Sequence, residues 1–236
     1  MSTPVQTTPK PEVERIPLLH QGDHLTAEEF MRRYEAMPEV KKAELIQGVV
    51  YMPSPVTIDD HGGQHFDLIT WLGVYRAFTP GVQGGDNSTV RLGPMDAPQP
   101  DGLLRILPEF GGQSQTRDRY VVRAPELTAE VSASTVSYDL FEKLETFRTA
   151  GVLEYIVWRV EDEEIDWFIL RDGKFEKLPL SPAGRYESQV FPGLWLEAAA
   201  MVRCDMKRVF QVLQEGIASP EHQAFVDKLR QQGSRK

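Results

Sequence analysis

The sequence predicts a single domain of mixed α/β or α+β class. Three observations lead there. Strand-like and helix-like apolar patterns are interleaved along the chain from Thr26 onward, as one mixed domain requires. After residue 25 there is no internal repeat and no linker-like stretch. The 236 residues are 41% hydrophobic and 26% charged, the composition of an ordinary globular protein. That balance excludes disordered, collagen-like and coiled-coil chains.

Each element follows from local chemistry. Residues 1 to about 24 are rich in Thr, Pro and charge and read as a flexible leader. Thr26-Ala27-Glu28-Glu29 has the form of a capping box, and Phe30, Met31 and Tyr34 give the helix behind it an apolar stripe. Ala43 to Met52 is β-rich and broken at Gly48, a strand or tight hairpin that Pro53-Ser54-Pro55 ends. His61 to Phe78 spaces Phe66, Ile69, Leu72, Val74 and Tyr75 as a helix does. Turn residues from Gly81 lead to a short strand at Ser88 to Leu92, then a Pro-rich loop, then a strand over Pro100 to Ile106. Residues 108–119 read as an exposed loop and Pro125 to Val131 as a buried strand. Ser137 is placed to cap a helix running to Ala150, with Leu140, Phe141, Leu144 and Phe147 inward and Gly151 as its stop. Leu153 to Val160 is a strand. Ile165 to Leu170 and Lys174 to Leu178 flank Asp172-Gly173, a hairpin-turn signature. Two helices, about 203–215 and 220–231, close the chain, the second with Ser219 as cap and Pro220 at its first position.

Charge and cysteine content narrow the function. Lys plus Arg number 26 against 35 Asp plus Glu, a net charge of −9. Non-specific nucleic-acid affinity comes from phosphate neutralisation, so an acidic chain needs a local basic patch or a metal to bind DNA. Cys204 is the single cysteine and has no internal partner. With an N-terminus lacking an apolar core, this points to a reducing cytoplasm. No stretch approaches the roughly 18 uninterrupted apolar residues of a membrane helix.

Asp101 opens a strand after Pro100, and Glu130 sits near the end of an otherwise apolar strand. A carboxylate there is either at a wet strand end or paired, neutralised or metal-bound. Asp139 and Lys143 are four apart on one helix face, which as a surface pair contributes only about 0.3–0.5 kcal/mol. Strand acid, turn, helix, lysine is an order that lets Lys143 approach Glu130. Two carboxylates and an ammonium at one point suit metal-assisted phosphodiester hydrolysis. Oxygen ligands favour Mg²⁺ (or Mn²⁺) over Zn²⁺.

Pro100-Asp101, Glu130-Val131, Ser134-Thr135, Asp139, Lys143 and Gly151-Val152-Leu153-Glu154-Tyr155 together resemble the Uma-type restriction-endonuclease-like family of the PD-(D/E)XK nuclease superfamily. Ala43-Glu44-Leu45-Ile46-Gln47-Gly48, Ser54-Pro55 with His61, Ile165-Asp166-Trp167 and Phe191-Pro192-Gly193-Leu194-Trp195-Leu196 resemble it too, so the likeness covers about residues 25–200. It implies a restriction-endonuclease-like fold: a mixed central sheet flanked by helices in three layers. The Asp101 and Glu130 strands would be adjacent, the 137–150 helix would cover one face, and residues 201–236 would form a helical extension. It implies a metal-dependent DNA endonuclease. Asp101 and Glu130 would bind metal, the Val131 carbonyl would complete the shell, Glu44 would be a third acid, and Lys143 the catalytic lysine. The chain departs from the superfamily where Ser132 stands two residues after the second acid, a lysine's usual place. Phe147 stands where the family often has tyrosine. A homodimer, through the 165–178 hairpin or the C-terminal helices, is also implied.

Other residues keep two readings. Glu44 contacts metal or pairs with Lys41, Lys42 or an arginine. Asp139 is a helix N-terminal charge or a partner orienting Lys143. His61 and His65 lack the glutamate of a zinc-protease motif and read as helix-terminal or core histidines; the family pattern would bring His61 to the site or DNA. Arg117, Arg119 and Arg123, with Arg105 nearby, are the leading phosphate-contacting group. Lys207, Arg208, Lys228, Arg230, Arg235 and Lys236 are a second. Glu161 to Glu164 is a solvated turn. Against the nuclease stand a non-catalytic binding or assembly module, and a paired-carboxylate hydrolase such as a glycosidase, which needs an aromatic-lined cleft.

Overall fold

The computed structural model of the protein describes residues 15–52, 61–133 and 135–234. Helix α1 spans Ala27–Glu35. Thr26 Oγ1 accepts the Glu29 N–H at 3.3 Å, but Glu29 does not reach back; it pairs with Arg32 and Arg33 instead. A hairpin follows, β1 (Glu44–Ile46) and β2 (Val49–Tyr51), turning at Gln47-Gly48, both with positive φ. Leu19, Phe30, Met31, Leu45, Val50 and Ala97 make a small core beneath them, so residues 15–24 include a packed side chain. The Pro53-Ser54-Pro55 stop, Ser134 and the basic residues Arg235 and Lys236 lie outside the described residues.

Helix α2 is Gly63–Phe78. Its buried stripe is Leu68, Trp71, Leu72 and Tyr75, whereas Phe66 is 72% exposed. Positions 68, 71, 72 and 75 fall on one side of a helix, and 66 does not. Val82–Asp86 forms β3, where composition alone suggests turn residues. Val90–Arg91 (β4) and Gly102–Ile106 (β5) follow. The expected loop at 108–119 holds a 3-10 turn, Pro108–Phe110, and β6 (Gln115–Arg117), which pairs with β7 (Tyr120–Val122). Leu127–Ser132 is β8, buried throughout. Then come α3 (Val136–Tyr138), a π-helical turn over Asp139–Lys143, and α4 (Leu144–Ala150). Ser137 lies inside this run and does not cap it. Asp139, Lys143, Thr146 and Phe147 are its buried residues, leaving Phe141 70% exposed.

Strands β9 (Glu154–Arg159), β10 (Glu164–Arg171) and β11 (Lys174–Lys177) complete the central sheet. Its order is β11-β10-β9-β8-β5-β3, parallel only between β8 and β9. The helices on its two faces bury β8 on both sides, with Leu127, Ala129 and Val131 in the main core and the polar Thr128, Glu130 and Ser132 on the opposite face. Alternation along β9 shows the layers. Ile156 and Trp158 join the core under α2, while Tyr155 and Val157 face Phe147 of α4. The short β12 (Tyr186–Glu187) and β13 (Trp195–Leu196), α5 (Ala198–Val202), α6 (Met206–Ile217) and α7 (Pro220–Gly233) follow. Val209, Leu213 and Leu229 of α6 and α7 belong to the same main core.

The 188–191 turn is tied to the sheet by one buried acid. Glu154 accepts the Ser188 hydroxyl at 2.6 Å and the Gln189 and Val190 N–H groups at 2.8 and 3.2 Å. Burial pushes its carboxyl above the ordinary 4.5 despite these donors. A raised folded value means stabilisation that is full below the unfolded value and lost as pH rises through the folded one. Wild type should therefore lose stability from about pH 4.5 upward relative to Glu154→Gln. Chemical denaturation of both across pH 4–8 checks this, and parallel curves would refute it.

Candidate active site

The ladder between β5 and β8 builds the centre. Gly102 opposes Ala129, so Asp101 and Glu130 stand next to each other across the two strands, pointing away from α2. Both are buried, at 2% and 3% exposure. Asp101 Oδ2 accepts the Val131 N–H at 2.9 Å, and Oδ1 accepts Lys42 Nζ at 2.8 Å. His61 Nε2 is 3.7 Å from Oδ2, and its ring lies against the Val131 backbone carbonyl. His65 stands one turn on, with Nε2 3.1 Å from both the Asp101 carbonyl and Asp86 Oδ1.

Helix geometry brings the lysine. Lys143 Nζ donates to Glu130 Oε1 at 2.8 Å and lies 3.1 Å from Glu44 Oε1 and 3.6 Å from Asp139 Oδ1. Glu44 is positioned from the hairpin and also accepts the Gln99 N–H at 2.7 Å. Asp139 is fixed by the hydroxyls of Ser132 and Thr135. Ser132 thus anchors the acid beside the lysine that sits on the helix. The Tyr138 ring packs 5.5 Å from Nζ.

Electrostatics follow from this packing. Burial raises Glu130 well above its ordinary value, more than Lys143 lowers it. Burial alone would lower Lys143, but Glu130, Glu44 and Asp139 outweigh it and hold the ammonium charged. Burial would raise Asp101, and the charges of Lys42, Lys143 and His61 overcome that to hold it below the usual range. Burial pushes His61 down, towards the neutral imidazole. Four carboxylates (Glu44, Asp101, Glu130, Asp139) thus face two ammonium groups in one buried cluster, a deficit of positive charge.

The structure gathers Asp101, Glu130, Val131, Glu44, Lys143, Asp139 and His61 at one end of the sheet. Sequence reasoning missed that Lys42 pairs with Asp101. The available signal is its position two residues before Glu44 in an extended segment, which puts both on one side. Among the described residues no three acids, histidines or cysteines already surround a single point. The ammonium groups stand between the carboxylates. Arg117 ends β6, Arg119 lies in the turn to β7 and Arg123 follows β7, all exposed. Arg105 is not surface charge: it is 3% exposed. The glycosidase alternative loses its aromatics, since Trp71, Trp158 and Trp167 are core residues.

Comparisons agree with this architecture. A family model described as "Uma2: Putative restriction endonuclease" matches residues 27–199. Among solved structures the chain is similar to one described as a putative nuclease belonging to DUF820 from Anabaena variabilis ATCC 29413. The TM-score is 0.51 at 12% identity, covering 73% of this chain and 98% of that one. At that identity the likeness is one of fold. A search of curated proteins found no match.

Proposed function

This chain belongs to the Uma2 family of putative restriction endonucleases, and from that premise we propose that it is an endonuclease cutting DNA with a Mg²⁺ or Mn²⁺ ion. The observation that supports this best is the buried cluster of four carboxylates against two ammonium groups. An all-oxygen donor set with surplus negative charge fits a hard divalent cation. Asp101 and Glu130 would hold it, with the Val131 carbonyl and Glu44 beside them. When bound, the ion would supply an activated water and offset charge on the scissile phosphate.

The protein's own groups do the rest. Lys143 is kept protonated by Glu130, Glu44 and Asp139, so it serves as a fixed positive charge and hydrogen-bond donor to the attacking water or the phosphate. Asp139, Ser132 and Thr135 position it. Lys42, whose side chain is 26% exposed, is the more accessible cation. With Asp101 holding a metal, the Lys42 ammonium would be a hydrogen-bond donor for a phosphate oxygen. His61 supports Asp101 from the other side. Incubation of supercoiled plasmid with Mg²⁺, Mn²⁺ or EDTA tests this reading; cleavage in either metal that EDTA abolishes is the expected result.

One observation favours a second reading, a nuclease-fold binding or assembly module. Lys42 and Lys143 already pair with Asp101 and Glu130, so the cluster closes without metal. Calorimetry showing no Mg²⁺ or Mn²⁺ uptake, together with an uncut plasmid, would select it. We further propose a homodimer, which would present two centres to two strands. Light scattering at micromolar concentration should give twice the chain mass, and a monomer mass would exclude it. No described helix is long and apolar enough to cross a membrane.

A further inference from the structure

A cleft of about 270 Å³ is lined by Gln83, Gly85, Ser88, Arg105, Thr116 and Arg119 among others. Its floor is Arg105, which is 3% exposed. The Arg105 guanidinium donates to Gln83 Oε1 at 2.8 Å, Ser114 Oγ at 3.5 Å and Thr116 Oγ1 at 2.5 Å. All three acceptors are neutral. Glu126 and Glu109 act on Arg105 only through space. Glu126 spends its oxygens on the Ile106 and Gln113 N–H groups, at 2.8 and 2.9 Å. A buried cation normally has an ion partner. Arg105 has none among the described residues, and a guanidinium has five N–H donors, so two remain to offer. Arg119, from the β6–β7 turn, adds a second positive charge at the rim.

The cleft lies on the sheet face that bears the acids. Along β5, Asp101, Leu103 and Arg105 alternate to one side, while a Cβ at Gly102 would point at Leu72 and Ile69 of α2, on the other. Arg105 is four positions along the strand from Asp101, about 13 Å. That distance spans a few nucleotides of a single strand.

We propose that this cleft is an anion subsite in which Arg105 and Arg119 hold a backbone phosphate of the substrate strand, a few nucleotides from the bond cut at Asp101 and Glu130. The inference rests on the nuclease reading and gives the strand a path along β5. It explains why a buried arginine is kept without a carboxylate: the substrate supplies the anion. Phosphate contacts position the strand and carry no sequence information.

Anisotropy of a fluorescein-labelled 20-base-pair duplex in Ca²⁺, with the duplex checked intact on a gel, tests it. Arg105→Gln and Arg119→Ser should each weaken binding about tenfold and lower the slope of log affinity against log salt by about 1. Folding is verified by circular dichroism; if Arg105→Gln does not fold, the exposed Arg119→Ser decides. Wild-type affinity and slope in the folded variants would overturn the proposal. So would a wild type that is stabilised by inorganic phosphate in an Arg105-dependent way yet binds no duplex, which would mark a site for a free phosphate. A wild type that binds duplex through these arginines but never cuts it would uphold the subsite and remove the nuclease reading.

Discussion

Asp101→Asn and Glu130→Gln should each reduce metal-dependent plasmid cleavage by about a thousandfold or more. A divalent ion supplies several kcal/mol of charge stabilisation in phosphoryl chemistry. At 1.36 kcal/mol per tenfold, losing it removes about three orders of magnitude. Both substitutions keep side-chain volume and remove one charge. Asp101→Asn retains a side-chain oxygen for the Val131 N–H, which Asp101 accepts now at 2.9 Å, so the ladder should survive. Calorimetry with Mn²⁺ gives a readout separate from turnover: the heat of metal binding should vanish in both variants. Cleavage at the wild-type rate in either would remove that residue from the centre. Cleavage surviving in both would locate the activity elsewhere or in a contaminant.

Lys143→Met should lower stability by about 3–5 kcal/mol, the cost of breaking a buried ion pair from one side. For a chain of this size that is a fall in Tm of about 10 °C or more. The reason is geometric. Glu130, Glu44 and Asp139 all lie within 3.6 Å of one Nζ, and the variant leaves them facing each other in a water-poor site. Two further outcomes are expected. Glu130→Gln added to Lys143→Met should restore part of the loss, because removing a like charge relieves the repulsion. Millimolar Mg²⁺ or Mn²⁺ should raise the variant's Tm more than the wild type's, since the cation replaces the missing charge. A Tm within about 2 °C of wild type, under 1 kcal/mol for a chain of this size, would show that the acids relax into water and that Lys143 is no keystone of the site. Activity should fall with Lys143→Met even where metal restores stability, because a cation at the carboxylates does not supply a donor to the attacking water.

Much of this molecule is written locally. The Gln47-Gly48 and Asp172-Gly173 turns announce their hairpins, because few residue pairs adopt positive φ cheaply. Ser219-Pro220 announces α7, and the Ser219 hydroxyl does accept the His222 N–H. Asp101 and Glu130 stand out because charge is costly in apolar strands. What failed locally failed for one reason: periodicity gives a helix its stripe only once a partner exists. The phase of α2 was decided by the sheet beneath Trp71 and Leu68, so Phe66 faces out. That of α3–α4 was decided by the carboxylates that draw Lys143 inward, so Phe141 faces out. Strand β3 hides in a glycine-rich segment because its pairing with β5, not its own propensity, makes it a strand.

The sequence by itself determined the fold class, most element positions and the presence of strand acids followed by a helix lysine. These depend on contacts within a few residues or on the cost of burying charge. Only the tertiary structure decided who neutralises whom. Lys42 meets Asp101 across 59 positions and Gln99 meets Glu44 across 55. Arg105 turns from surface charge into the floor of a cleft because β3 and the β6–β7 hairpin close over it. Pairings of this kind are set by strand register and layer packing, which bring distant residues within hydrogen-bond reach and leave no mark on the chain between them.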